Sequence, residues 1–190
     1  MKVTKAQAQA NRAHIVETAS TLFRERGYDG VGVADLMAAA GFTHGGFYKH
    51  FGSKADLMAQ AASCGLAQSV EAATDVDPAD FMRYYLSRAH RDSPGDGCTL
   101  AALCADAARQ PEPVKAAFAA GIERQLARPA GPRGGAGQGS ADEARARRIA
   151  LMAQAIGAVV LSRSCPDDSP LADEILDVCR ADALARMSDG

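Results

Sequence analysis

Apolar residues recur at three- and four-residue steps along nearly the whole chain, and no stretch alternates with the two-residue period of a half-buried strand. The first stripe, Ile15, Ala19, Leu22 and Phe23, lies behind Thr4-Lys5-Ala6-Gln7, which reads as a capping box, and Gly27 closes it. A second, shorter segment runs from Val33 to Ala40 and stops at Gly41. A long helix is expected from about Lys54 to Ala73, with no proline inside it. Asp77-Pro78 opens another, which carries Phe81, Tyr84 and Tyr85 and runs up to Ser93-Pro94-Gly95-Asp96-Gly97. Leu100, Leu103, Cys104 and Ala107 then share one stripe; Pro111 and Pro113 interrupt it, and Val114, Phe118 and Ile122 follow at four-residue steps. Residues 129–139, PAGPRGGAGQG, cannot bury enough apolar surface to order and predict a mobile loop. Ser140-Ala141-Asp142-Glu143 is a further capping box, and the helix it begins should turn Ile149, Met152, Ile156, Val159 and Val160 inward. Ser169-Pro170 opens the last stripe, with Leu171, Ile175, Leu176, Val178, Cys179 and Leu184. The pattern predicts an all-α chain of about nine helices with no internal repeat.

The stretch from Gly41 to Lys54, GFTHGGFYKHFGSK, departs from this regularity. Gly41 can take the left-handed conformation that stops one helix, and Thr43 can cap the next by accepting a bond from one of its free N–H groups. Two short helices about a glycine turn form a helix-turn-helix, whose second helix enters the DNA major groove. That second helix, His44 to Phe51, carries adjacent glycines, Gly45 and Gly46. Each costs about 1 kcal/mol against alanine in a helix interior, so close approach of a partner's backbone is one reason for them. Phe47 and Phe51 are four apart and should pack inward, leaving Thr43, His44, Lys49, His50 and the Tyr48 hydroxyl to face out. Ser53-Lys54-Ala55-Asp56 reads as the cap of the following helix. Lys54 then sits where the helix dipole favours an acid; a bound phosphate would resolve the conflict, and a solvated lysine is the alternative.

Ala19, Phe23, Gly27-Tyr28, Leu36, Ala40-Gly41 and the run Thr43 through Lys54 together resemble the DNA-binding head of the TetR/AcrR family of bacterial transcription regulators. The resemblance is strong over about a quarter of the chain, from Ile15 to about Leu57, and extends to the rest by architecture alone. It implies a helix-turn-helix domain over residues 1–52 and a ligand-binding and dimerisation domain over residues 53–190. Tyr48 and Lys54 are then expected on phosphates, with Thr43, His44, Gly45 and Lys49 nearest the base edges; Gly46 belongs to the same face, and His50 would touch the DNA backbone. For Tyr48 the alternative is a half-buried core aromatic. One departure stands before the first motif helix, where Gly30-Val31-Gly32 replaces the Thr or Ser common in the family. Glycine still serves as an N-cap there, but a hydroxyl that could reach phosphate is missing.

Charge is nearly balanced over the whole chain, at −2, so no general attraction to nucleic acid exists. Lys2, Lys5, Arg12, Arg24, Arg26, Lys49 and Lys54 against Glu17, Glu25, Asp29, Asp35 and Asp56 leave the first 60 residues near +2. DNA affinity must therefore rest on placed contacts. The N-terminus lacks the apolar core of a secretory signal, and the longest apolar run, Ala155 to Leu161, is too short for a bilayer, so a cytoplasmic chain without membrane contact is expected. Cys64, Cys98, Cys104, Cys165 and Cys179 show no CxxC spacing and, being odd in number, argue against a disulfide framework. The histidines do not cluster with cysteines at ligand spacing, and neither a metal nor a cofactor is expected.

One such helix reads only a few base pairs, so a homodimer on a palindromic double-stranded operator is expected, its reading helices about 34–36 Å apart. The last two helices are the candidate dimer surface; Ala153, Gly157 and Ala158 permit close approach there, and the family resemblance implies a four-helix interface. Completion of the monomer core is the other reading of those stripes. Arg145, Arg147 and Arg148 read as a solvated face. Phe81, Tyr84, Tyr85, Leu103, Cys104, Phe118, Ile122, Met152 and Ile156 form a mixed aromatic and aliphatic set suited to an apolar effector, though each is also ordinary core. The resemblance adds that such a ligand would release a repressor from its operator. Cys98, at the apparent start of the sixth helix, offers an alternative: a thiol- or electrophile-sensing switch. No nucleophile–base constellation is visible, so an enzyme is not expected. A head that binds another protein is the remaining alternative.

Overall fold

The computed structural model describes residues 4–127 and 140–188, and the stretch expected to be a mobile loop, residues 129–139, lies outside the described residues. The fold is all-α, with no strand among the described residues. Its helices are α1 (Lys5–Arg26), α2 (Val33–Ala39), α3 (Lys54–Ala72), α4 (Pro78–Tyr85) and α5 (Arg88–Arg91). These are followed by α6 (Thr99–Ala107), α7 (Glu112–Leu126), α8 (Ala141–Arg163) and α9 (Pro170–Ser188). Two short 3₁₀ segments, His44–Lys49 and Pro94–Asp96, stand between them. The chain forms two compact units, one of Met1–Ser69 with Cys98–Gly121, the other of Val70–Gly97 with Ile122–Gly190.

In the first unit, Ile15, Ala19 and Phe23 of α1 are buried as their helical spacing requires, and so are Leu36, Met37, Phe47, Phe51 and Leu57. Thr4 caps α1 by accepting from Gln7 N at 3.1 Å, but the Gln7 side chain turns forward to Asn11 at 2.8 Å, so only half of the expected capping box forms. Asp35 reaches back to the Gly32 amide at the start of α2, at 3.2 Å. At the other end Gly41 adopts φ +79°, and the bonds Gly41 N to Ala38 O (3.0 Å) and Phe42 N to Met37 O (2.8 Å) complete a Schellman stop.

The segment after that turn is not the α-helix predicted over 44–51. It is a 3₁₀ turn, closed by Gly46 N to Thr43 O at 2.9 Å and His50 N to Phe47 O at 2.9 Å. Six residues with two glycines cannot repay the nucleation of an α-helix alone, and tighter three-residue bonds suit so short a piece. Thr43 has the extended backbone of an N-cap, yet its hydroxyl makes no cap bond, contrary to expectation.

In the second unit, the helix opened by Asp77 stops at Tyr85 instead of reaching Ser93. Leu86 breaks it at φ −95°, ψ 51°, and Ser87 caps the separate turn α5 by accepting from His90 N at 3.4 Å. The break serves Arg91, a buried cation whose Nε donates to Ser162 Oγ at 3.1 Å and whose other nitrogens reach Ser162 O (3.0 Å), Cys165 O (3.2 Å) and Asp167 (2.9 Å). These bonds fasten α5 to the end of α8, and Arg88 adds an ion pair to Asp173 of α9 at 2.6 Å. The capping box at Ser140 and Glu143 forms in full. Val159 is buried and Met152 and Ile156 are half-buried as expected, but Ile149 and Val160 face outward.

Candidate nucleic-acid interface

The motif stretch is held from beneath. Phe47 and Phe51 are buried with ring centroids 5.5 Å apart, and Arg12 of α1 lies over the Phe51 ring at 5.0 Å while its Nε donates to His50 O at 3.1 Å. Arg12 thus ties the end of the 3₁₀ turn to α1. Sequence reasoning counts it only as a charge; its place seven residues before Ala19, on the flank of the apolar stripe, is the one available signal.

Above this floor, Thr43, His44, Gly45 and Lys49 are exposed, and Gly46 is half-buried. Tyr48 is 74% exposed, its ring edge-on to Phe47 at 5.2 Å, so the half-buried alternative does not hold for it. His50 is half-buried, its ring 6.1 Å from Phe42 and 6.2 Å from Phe51, and faces solvent less than the neighbouring positions. His14 is exposed on α1, its ring 6.5 Å from that of Phe42.

The two glycines are informative because nothing inside the molecule needs them. A Cβ built on Gly45 meets no atom within 4 Å, and one on Gly46 would stand 3.6 Å from Met37 Cε, an ordinary contact. Neither has the left-handed backbone found at Gly27 and Gly41. Internal packing and conformation would both accept alanine, which favours helical turns by up to about 1 kcal/mol.

Lys54 is not the freely solvated lysine of the alternative reading. Its Nζ donates to Tyr28 O at 2.6 Å, which anchors the ammonium at the first turn of α3. An ammonium has three donors, so two remain for an outside acceptor. Ser53 accepts from Asp56 N at 3.1 Å, and Asp56 takes Gly52 N at 3.1 Å, so the cap forms with its acid reaching one residue further back than a capping box does. Exposed hydroxyls, an imidazole, two lysines and bare glycine backbone thus share one short surface, with Phe47 and Phe51 packed below.

The residues proposed for an apolar effector divide between the units. Leu103 and Phe118 are buried and Cys104 half-buried in the first. In the second, Tyr85 is buried, Phe81, Ile122, Met152 and Ile156 are half-buried, and Tyr84 is exposed. Tyr84 and Tyr85 flank the buried His90, with ring centroids 5.8 and 4.4 Å away, and Phe81 packs on Tyr85 at 5.6 Å. Burial lowers the His90 pKa, with Arg163 adding to the effect against the Tyr85 carbonyl that its Nδ1 meets at 2.8 Å. Sequence reasoning passes over His90 because a lone histidine on a short turn carries no pattern. Cys98 is the N-cap residue of α6 and its thiol makes no cap bond; burial, with Cys98 nearby, pushes the Cys104 thiol up to about 11. Arg145 pairs with Glu123 at 2.7 Å on the surface, and Arg147 and Arg148 are exposed. Among the described residues no group of three or more His, Cys, Asp or Glu side chains could hold a metal ion.

Residues 15–61 match the family described as "Bacterial regulatory proteins, tetR family". The HTH-type transcriptional regulator TtgR of Pseudomonas putida is 37% identical over 89 residues, 44% of this chain and 42% of that protein. The HTH-type transcriptional repressor DhaR of a Mycobacterium species is 32% identical over 95 residues, 47% of this chain and 48% of that protein. The chain thus matches less than half the length of these relatives. The crystal structure of the reduced form of E. coli NemR superposes with a TM-score of 0.69 at 20% identity, covering 92% of this chain and 95% of that one. A transcriptional regulator of the TetR family from Agrobacterium tumefaciens gives 0.64 at 24%, covering 94% and 98%. At these identities the likeness establishes the fold alone.

Proposed function

We propose that the chain, whose residues 15–61 match the TetR family of bacterial transcription regulators, is a DNA-binding regulator of that family, a ligand-responsive repressor that reads a palindromic double-stranded operator as a homodimer. The observation that carries this reading is the bare backbone of Gly45 and Gly46, beside the exposed Tyr48 and unneeded by the protein's own packing. A helical turn without Cβ atoms can lie closer to a groove floor than one with them. In this reading residues 1–52 are the reading domain and residues 53–190 the ligand-binding and dimerisation domain. Tyr48, Lys54 and His50 hold phosphates and so fix register, while Thr43, His44 and Lys49 face base edges beside Gly45 and Gly46 and supply sequence choice.

The dimer is supported by apolar surface left without cover. Ile149, Val160 and Leu161 on α8 and Leu171 and Val178 on α9 are all exposed, and the α8 set follows helical spacing through the small residues Ala153 and Gly157. Exposed large apolar side chains at helical spacing support an association surface here. The effector is assigned to the aromatic group Phe81, Tyr84 and Tyr85, and its binding shifts the population between DNA-fitting and DNA-misfitting states. No described helix is long and apolar enough to cross a membrane. A cytoplasmic location belongs to the proposal because the operator lies there. Fluorescence anisotropy with a duplex from upstream of the chain's own gene, against an unrelated duplex of equal length, tests the reading. Preference for the upstream duplex is expected; equal or absent binding overturns it.

A further inference from the structure

A second anchor of the interface comes from α6, far along the chain. Asp106 sits near the end of that helix, its Oδ1 held by Arg109 at 2.8 Å, which leaves Oδ2 to accept from Tyr28 N at 3.3 Å. Gly27 makes the approach possible: it has φ +73°, and a Cβ there would stand 2.7 Å from Asp106 Oδ2. Tyr28 itself cannot drift, because its ring is fully buried and packs edge-on against Phe23 at 5.0 Å. The other end of the same residue, its carbonyl, receives Lys54 Nζ at 2.6 Å. One residue of the turn after α1 is therefore gripped by a carboxylate from α6 through its N–H and by the α3 ammonium through its C=O.

We propose that Asp106 is a positioning residue for DNA binding, through which α6 sets the place of the Lys54 ammonium by way of the Tyr28 backbone. The inference rests on the DNA-binding reading of Lys54. A shift of α6 that draws Asp106 off Gly27 releases the turn, and the carbonyl that aims Lys54 moves with it. DNA affinity then depends on a helix that touches no DNA. Burial, and after it the Asp106 charge, raise the Tyr28 phenol well above its ordinary range, which keeps the ring neutral.

The test is a double-mutant cycle on the full chain: wild type, Asp106→Ala, Lys54→Ala and both together, titrated across salt with the upstream duplex and with a random duplex. Asp106→Ala should weaken binding to both by roughly three- to tenfold. It should also remove part of the ~0.9 unit of salt slope that one phosphate contact supplies, and it should add almost nothing on top of Lys54→Ala. Asp106→Asn, which keeps an acceptor oxygen, should stay within about twofold of wild type. In the free protein, hydrogen exchange at the Tyr28 amide should quicken in Asp106→Ala and not in Lys54→Ala. Additive losses, or a lowered melting temperature with an unchanged salt slope, would overturn the coupling while leaving the DNA reading intact. Wild-type protein that binds neither duplex would overturn both.

Discussion

Replacing Gly45 by alanine should move stability and DNA affinity in opposite directions. The backbone there is not left-handed, and the added methyl meets nothing within 4 Å, so no strain or clash opposes it. Removing one glycine from a helical turn lowers the entropy of the unfolded chain and stabilises by about 0.5–1 kcal/mol, with the lower end apt for a 3₁₀ turn. For a chain of 190 residues that corresponds to a rise in melting temperature of about 1–4 °C. On DNA the same methyl would hold the turn away from the groove. Loss of one well-made base contact costs about 1–3 kcal/mol, or roughly 5- to 150-fold in Kd. Thermal melts followed by circular dichroism, and anisotropy at one fixed salt concentration, read the two effects on the same preparation. Gly41→Ala is the control, since its φ of +79° makes any side chain costly and both stability and affinity should fall. A raised melting temperature with unchanged Kd for Gly45→Ala would refute the claim that this glycine exists for a partner.

Lys54→Ala should weaken binding to every duplex and lower the salt slope by about 0.9; a slope that does not change removes Lys54 from the phosphate contacts. Val178→Asp places a charge on the exposed apolar face of α9, which is 61% accessible at that residue, and should give a folded monomer by sedimentation velocity. A persistent dimer would mean that the protomers meet elsewhere. His90 is held neutral by burial, so the unfolded chain binds its proton more readily; stability is full above the ordinary value of 6.5 and falls as pH drops below it. Melting at about pH 5 and about pH 7.5 should show that loss, and His90→Gln should flatten it. Arg91→Ala removes the side chain that donates to Ser162 Oγ and to the Ser162 and Cys165 carbonyls and should cost about 1–3 kcal/mol or more; a change under about 0.5 kcal/mol would show the buried network to be dispensable.

Much of the architecture is legible because helix boundaries here are written in side-chain chemistry. Ser140 with Glu143, Asp77 before Pro78, and Gly41 after Ala40 each fix a terminus through bonds that the structure shows. Phe47 and Phe51 are readable as floor from their spacing alone. What escapes the sequence depends on partners distant in the chain. Nothing at Leu86 predicts a break, since the reason for α5 is Arg91 meeting Ser162, 71 residues later. Ile149 and Val160 look like core because apolar periodicity marks a face to be buried without saying whether the same molecule buries it. Lys54 reads as phosphate-bound or solvated, and the carbonyl of Tyr28 that holds it cannot be seen from either end. The 3₁₀ geometry of residues 44–49 is signalled by the poor helix propensity of the glycine pair, but only the hydrogen bonds decide between the two helix types.

Hydroxyl-radical footprinting of the upstream duplex bears most directly on the claim that two copies of the His44–Lys49 surface enter the major groove. Two protected patches about one helical turn apart are expected, both lost when Tyr48 and Lys49 are changed together to alanine in a protein that still folds. A single patch, or protection that survives the loss of those two side chains, would contradict the account.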